Sequence, residues 1–232
     1  MTNPKPRGRF IPFRKSDLVA MCLEAGLVAR PHKADFEEFR GILEALLHFE
    51  YHRLLESLKN AYAPFNPDAD TRDIRSPDPE QRRQEQKRFV REMRTLLNAA
   101  NFEPVTPTDL QEALAEESLF KNLDNNAGVF HHLIDAAEEE EFKEARLAYL
   151  FLAQDETGLT RPQLDATVEG WLAKDWDCTI DFEVDDALAK LMRWGLVQNR
   201  NDCLVALPLS EAKACLDRLW DNFFTYQDAR TS

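Results

Sequence analysis

The order of elements in the last third of the chain is the feature that most limits its fold. Residues 160–163, "TRPQ", form a capping box that opens one helix, and Asp181 is placed to cap a second helix over 182–194. Residues 196–208, "LVQNRNDCLVALP", have the pattern of a strand, a polar turn and a strand, and a last helix follows. Helix, helix, strand pair and packing helix is the order of a winged helix, which is therefore predicted for residues 156–232.

The second helix of this module argues against DNA binding. In DNA-binding winged helices the corresponding helix enters the major groove, and Lys and Arg on phosphates supply much of the affinity. Here the helix carries three acids and two bases, namely Glu183, Asp185, Asp186, Lys190 and Arg193. Such a surface repels the DNA backbone, so binding of nucleic acid is disfavoured and a packing or protein-contact role is predicted.

Long helices are predicted upstream of this module. Apolar residues recur at helical spacing over 34–62, a helix starts at Ser76 and continues to about residue 100, and 126–154 form a second long helical stretch. The helices over 34–62 and 126–154, each about 40 Å long at 1.5 Å per residue, are expected to pack as an antiparallel pair.

A mainly α fold is therefore predicted, and the composition agrees, since 44% of the residues are hydrophobic and only 7 are glycine. Residues 1–100 form an N-terminal helical region with long helices. Residues 101–155 hold a short helix and a long connecting helix. Residues 156–232 form the winged-helix-like domain, which contains a small β-hairpin.

Six segments spread over most of the chain form a combination typical of one protein family. They are "RFIPFRKSDL", "HFEYHRLLESLKNAYAPFNPDADT", "ANFEPVTPTDLQEALAEESLF", "NLDNNAGVFHHLIDAAEEEEFKEA", "IDFEVDDALAKLMRWGLV" and "RLWDNFF". In this combination the chain resembles the transmembrane-protein-143-like family, a domain of unknown function found in bacteria and in mitochondria. The resemblance implies membrane anchoring of full-length relatives, and it supplies no activity and no catalytic residue.

One difference from that family affects the predicted location. In the family, a long segment with a pair of membrane-spanning helices lies between the counterparts of "EESLF" and "NLDNNAGVF", whereas Phe120 is followed here directly by Lys121. Either the spans were removed by engineering or the chain is a natural soluble relative. No apolar run approaches the roughly 18 residues that cross a bilayer, so a cytoplasmic location is expected for this chain.

The charge distribution draws attention to one helix. Residues 1–100 hold 18 basic and 15 acidic side chains, a net +3, whereas residues 101–232 hold 11 and 27, a net −16. The helix that starts at Ser76 has a basic face opposite an apolar one, which gives the candidate partner- or lipid-binding residues Arg83, Lys87, Arg91 and Arg94. Three interpretations stay open: a solvated face, docking on the acidic half of the chain, or contact with anionic lipid or nucleic acid.

Glu140 and Glu144 are the candidate members of a buried carboxylate pair. In a continuous helix both lie on the side that carries Ala137 and Leu147. Two carboxylates on an apolar face are unfavourable unless a base or a metal pairs with them. The sequence leaves open a bend or rim position at the run of four glutamates, an ion pair with a helix from the basic half, and a metal site.

Other patterns give no catalytic or metal site. Glu44, His48 and His52 are spaced four residues apart, but "HFEYH" is not the HExxH of zinc proteases. The four cysteines form no CxxC pair, which indicates free thiols in a reducing compartment. No P-loop, GxGxxG or GxSxG occurs. The prediction is therefore no enzyme activity, no cofactor and no bound metal.

The leading functional hypothesis is a non-enzymatic scaffold or protein-interaction module, the soluble portion of a membrane-associated family. The alternative is a peripheral protein that binds anionic membranes through the basic amphipathic helix. A protein partner is expected, while the identity of that partner and the oligomeric state stay open.

Overall fold

The structure is a computed structural model that describes residues 11–62 and 126–228 and, between them, positions 78, 80, 81, 84, 87, 88 and 91. Over the described residues the fold is mainly α-helical with a small antiparallel hairpin near the C-terminus, which confirms the predicted mainly α fold. Its elements are α1 (Lys15–Glu24), a 3₁₀ turn (Arg30–His32), α2 (Lys33–Tyr62), α3 (Asn126–Leu152), α4 (Arg161–Trp176), α5 (Val184–Arg193), β1 (Val197–Arg200), β2 (Cys203–Ala206) and α6 (Leu209–Asp228).

The described residues form two compact units. The first combines the chain up to Leu47 with the chain from Glu139 onward, and the second is His48–Glu138. Both α2 and α3 contribute residues to each unit. The units are therefore defined by contacts and cut across the sequence ranges 1–100, 101–155 and 156–232, which stay a prediction.

α3 is the central helix of the first unit. Residues 141–152 are all buried, so this part of the helix is enclosed on every side. Side-chain hydrogen bonds hold the C-terminal end of α3 in place. The Tyr149 hydroxyl donates to the Leu207 carbonyl at 3.0 Å. Just beyond the helix, the Gln154 amide donates to the Leu27 carbonyl at 2.8 Å.

Within this unit α2 and α3 run antiparallel, as expected. Phe39 of α2 stacks on Tyr149 with ring centroids 4.5 Å apart. Further along α2, Glu44 lies 3.2 Å from the Lys15 ammonium, which is 5.3 Å from the ring centroid of Phe142. Later residues of α2 therefore lie beside earlier residues of α3, which is the antiparallel arrangement. The aromatic rings between the two helices are buried.

α4 begins as predicted and α5 does not. The Thr160 N–H donates to Gln163 Oε1 at 2.8 Å, which confirms the capping box. The prediction that Asp181 caps the next helix was wrong, because α5 begins two residues later than predicted. The intervening Phe182 is buried, and its N–H donates to Glu169 Oε1 at 3.1 Å, so this residue joins the core before the helix starts.

β1 and β2 form the predicted hairpin. Val197 pairs with Ala206 at its open end. At the turn, Asn201 and Asp202 have φ angles of 54° and 66°. Two consecutive residues in the left-handed region match the twist of paired strands, and Asn and Asp tolerate that region well.

The chain just before α4 pairs with the other edge of β2. The Leu159 N–H donates to the Leu204 carbonyl at 3.1 Å, and the Leu204 N–H donates back at 2.7 Å. Gly158 makes this approach possible, since its φ is +84° and an added Cβ would lie 2.7 Å from the Leu204 carbonyl oxygen. The extended segments are thus ordered Leu159, β2, β1.

Candidate functional site

Residues 139–146 of α3, called the charged run below, form the candidate functional site because charge is buried there at high density. Four of its side chains belong to residues at most 7% exposed: Glu141, Lys143, Glu144 and Arg146. Buried charges are strongly unfavourable unless other groups pair with them. The contacts of each side chain therefore indicate what the charged run binds.

One side of the charged run holds the N-terminal segment, residues 11–15. The Ile11 N–H donates to Glu140 Oε2 at 3.0 Å. The Lys143 ammonium donates to the Ile11 carbonyl at 2.8 Å and to the Phe13 carbonyl at 3.3 Å, and it pairs with Glu140. The Ile11 side chain is buried as well. The segment is thus held by one apolar anchor and by bonds to its backbone.

Arg146 extends this contact to the start of α1. Its guanidinium donates through both terminal nitrogens to the Lys15 carbonyl at 3.4 Å and lies 4.9 Å from the ring centroid of Phe142. Its Nε finds no acceptor within the described part of the chain. Burial lowers the pKa of Arg146 to about 10, which still leaves the group charged at neutral pH.

The buried thiol beside Arg146 is not reactive. Cys22 of α1 is fully buried, and burial raises its pKa to about 11. Because the thiolate is the nucleophilic form, a thiol with so high a pKa is inert at neutral pH. Cys22 is also a free thiol, as predicted.

The other side of the charged run faces α5. The Lys190 ammonium lies 2.9 Å from Glu141 Oε1, and the two side chains are 9% and 5% exposed. Further carboxyl groups of α5 and its N-terminal flank, Glu183 and Asp186, add negative charge near Glu144. Acids therefore outnumber bases at this contact.

Glu144 is protonated at neutral pH as a result. Burial raises its pKa to about 9, with smaller contributions from the charges of Glu141 and Glu140. Burial and the charge of Glu141 also raise the pKa of Asp186. The surroundings of Glu144 thus favour a neutral carboxylic acid. In residues 11–62, 126–228 and the isolated described positions, no three His, Cys, Asp or Glu side chains are grouped to hold a metal ion.

The two predicted carboxylates, Glu140 and Glu144, have different surroundings. α3 continues through both without a break. Glu140 pairs with Lys143 of its own helix and accepts from the backbone of the N-terminal segment. Glu144 instead lies among acids of α3 and α5. The residue that neutralises Glu140 therefore comes from the same helix, three positions along.

Sequence reasoning did not predict that three bases, Lys143, Arg146 and Lys190, take part in the charged run, although it counted Lys190 among the charges of its helix. A signal existed for two of them. Lys143 stands three residues after Glu140, a spacing at which helical side chains meet. Lys190 falls on the apolar stripe of α5 beside Leu191, where an exposed lysine is not expected. Nothing comparable marks Arg146.

The basic helix is described at only some positions. Lys87 and Arg91 are helical and exposed, as is Arg88 between them. Arg83 and Arg94 lie outside the described residues. The exposed bases at 87, 88 and 91 share one face, since residues three and four apart are neighbours on a helix.

One histidine of the second unit, His48, lies beside an acid. The Nδ1 atom of His48 lies 3.1 Å from Glu138 Oε2, and the ring of His48 stacks on that of His52 at a centroid distance of 6.3 Å. Glu44, by contrast, binds Lys15 and Arg40. The predicted spacing therefore does not assemble a three-ligand cluster from Glu44, His48 and His52.

Within the described residues, no helix is long and apolar enough to cross a membrane. The resemblance to the transmembrane-protein-143-like family stays a prediction, because no family model matches the chain and no solved structure gives a significant match.

Proposed function

We propose that the chain is a non-enzymatic scaffold or protein-interaction module in which α5 is the protein-contacting helix. The observation that carries the proposal is the chemistry of the solvent face of α5. Asp185, Ala189 and Met192, spaced i, i+4 and i+7, are exposed. Met192 is a large hydrophobic side chain, and 37% of it is exposed to solvent. An acid, a small residue and a flexible apolar side chain on one face suit contact with protein.

The order of elements supports a winged-helix-like arrangement. Leu159, bridged to β2, stands where such a fold has its first strand, and α4 and α5 follow it. β1 and β2 then supply the hairpin. In this arrangement α5 takes the position of the contact helix, so its solvent face is the surface that a partner meets.

The bases near α5 favour a protein partner over nucleic acid. Lys190 is buried against Glu141, and Arg161 of α4 pairs with Asp185. Of the bases on α5 itself, this leaves Arg193 exposed. DNA binding requires several cations on phosphates, which this surface does not offer.

Replacing Met192 with glutamate tests the proposal. The matched control is Ala173→Glu, which adds the same charge to an exposed position of α4. Immobilised wild-type chain and the immobilised control variant are expected to capture the same partner protein. The Met192→Glu variant is expected to capture at least about tenfold less of that protein, because a central apolar contact often dominates binding. The readout is quantitative mass spectrometry of captured proteins.

Two outcomes would contradict the proposal. One is capture that Met192→Glu does not change. The other is binding of a fluorescent mixed-sequence DNA duplex at physiological salt, measured by anisotropy and reduced by an Arg193→Glu variant.

The second candidate function is binding to an anionic membrane surface. The exposed, helical placement of Lys87, Arg88 and Arg91 favours it, because each base near an anionic surface contributes about 1 kcal/mol. The chain is expected to float with anionic liposomes at low salt, to float less at physiological salt, and to stay unbound with neutral liposomes.

Charge reversal separates this function from ordinary solvation. The double variant Lys87→Glu/Arg91→Glu is expected to lose flotation, and a control with exposed Lys174 and Arg193 reversed is expected to keep it. Equal flotation of both variants, or none by the wild-type chain, would exclude the membrane function.

A further inference from the structure

We propose that the face of α3 formed by Glu140, Lys143 and Arg146 is a binding site for a short peptide segment, and that residues 11–15 occupy it as a ligand supplied by the same chain. This face is distinct from the solvent face of α5. Failure of the peptide proposal would therefore leave the proposed function standing, and the reverse also holds.

The contacts that Glu140, Lys143 and Arg146 make with the segment are all to its backbone. Glu140 accepts from the Ile11 N–H at 3.0 Å. Lys143 donates to the Ile11 and Phe13 carbonyls at 2.8 and 3.3 Å. Arg146 donates to the Lys15 carbonyl, two residues after Phe13. The carbonyls of every second residue are bound, so these side chains follow the course of a peptide chain.

A single apolar side chain anchors the segment. Ile11 is 1% exposed, whereas its neighbour Pro12 is exposed, Phe13 is half-buried and Arg14 is exposed. Recognition through the backbone together with one buried aliphatic residue is the pattern by which many domains bind short peptides. The Lys15 side chain, four positions after Ile11, adds an ion pair with Glu44. The chemistry of the site therefore fits a peptide with one aliphatic residue and a base four positions later.

The charges of the site require an occupant. Lys143 is 3% exposed and Arg146 is fully buried, and the acceptors of both include carbonyls of the segment. A buried cation that loses its acceptors is strongly unfavourable. The segment is thus expected to dissociate from α3 only when water or another peptide takes over its hydrogen bonds. Replacement by another peptide is therefore favoured over dissociation that leaves the site empty.

The segment is covalently attached, so it competes strongly with any free peptide. A tethered ligand acts at an effective concentration of roughly millimolar. A peptide added to the wild-type chain therefore binds poorly, and weakening the attached copy is the way to expose the site. Ile11→Asp does this in the full chain, because a carboxylate does not enter the buried position of Ile11.

The experiment uses a fluorescent synthetic peptide with the sequence of residues 7–16, followed by anisotropy. The Ile11→Asp chain is expected to bind it at least about tenfold more tightly than the wild-type chain does, as competition from the attached segment predicts. A peptide N-methylated at Ile11 lacks the donor to Glu140 and is expected to bind about tenfold more weakly, as is a peptide carrying Ile11→Asp.

Several results would overturn the proposal. They are equal binding by both chains, no binding by a folded Ile11→Asp chain, and no effect of N-methylation. Circular dichroism establishes whether that variant is folded, and Ile11→Ala serves as a milder second variant. Loss of the fold in both variants would also overturn it, because the segment would then be part of the core and not an exchangeable ligand.

Discussion

Replacing Lys143 with methionine is expected to destabilise the chain by about 3–5 kcal/mol, the range observed when one partner of a buried ion pair is removed. Methionine fills similar volume but donates no hydrogen bond. Glu140 loses its cation, and the carbonyls of Ile11 and Phe13 lose a donor. Urea unfolding followed by circular dichroism measures the change as a lower midpoint with an unchanged slope.

The control for this variant is Lys174→Met, at an exposed position of α4. It is expected to change the free energy of unfolding by no more than about 0.5 kcal/mol, as surface substitutions usually do. The double variant Lys143→Met/Glu140→Gln should be less destabilised than the sum of the single variants, because it removes both charges. A Lys143→Met chain as stable as the control would show that the buried network contributes little.

Replacing Glu144 with glutamine is expected to stabilise the chain at pH 7 by about 3 kcal/mol. The pKa of Glu144 is raised from 4.5 to about 9, chiefly by burial. At pH 7 the group is therefore protonated when folded and ionised when unfolded, and the unfolded state gains from releasing the proton. Glutamine has nearly the same shape and no proton to release, so this advantage of the unfolded state disappears.

The pH dependence of the same variant gives the sharper test. A raised acid pKa provides stability that is fully present below pH 4.5 and is lost as the pH rises towards about 9. The wild-type chain and Glu144→Gln should thus be about equally stable near pH 4.5, and the difference should grow by about 1.4 kcal/mol per pH unit up to pH 9. Glu156→Gln, at an exposed loop position, is the control. Parallel stability curves for wild type and Glu144→Gln would contradict the assignment of a neutral acid.

The helical framework could be predicted because its signals are local. Apolar spacing located α2 and α3 closely, and the residues of the capping box before α4 lie within four positions of one another. The start of α5 was misplaced for the opposite reason. Phe182 is not part of the helix because its side chain is buried and its N–H bonds to Glu169, thirteen residues away. The residues around Asp181 give no local signal of that contact.

The charged run illustrates why the site itself was only partly predictable. Helical spacing placed Glu140 and Glu144 on a buried face, but it did not reveal what they meet. The acceptors of Lys143 are carbonyl groups 132 and 130 residues away in the chain. Every residue has a carbonyl, so no residue type marks such a partner. The acids around Glu144 likewise come from the packing of α5, which no local pattern specifies.

The distance between Ile11 and Glu140 also has a consequence for how the chain is made. The two residues are separated by 129 positions, and at 5–20 residues per second the ribosome needs roughly 10 s to travel between them. During that interval the N-terminal segment has emerged while its binding face on α3 has not been synthesised. Contacts of such long range also close slowly. The nascent chain therefore exposes Ile11 before the residues of α3 that bury it have been made. During this interval a chaperone can bind the exposed segment.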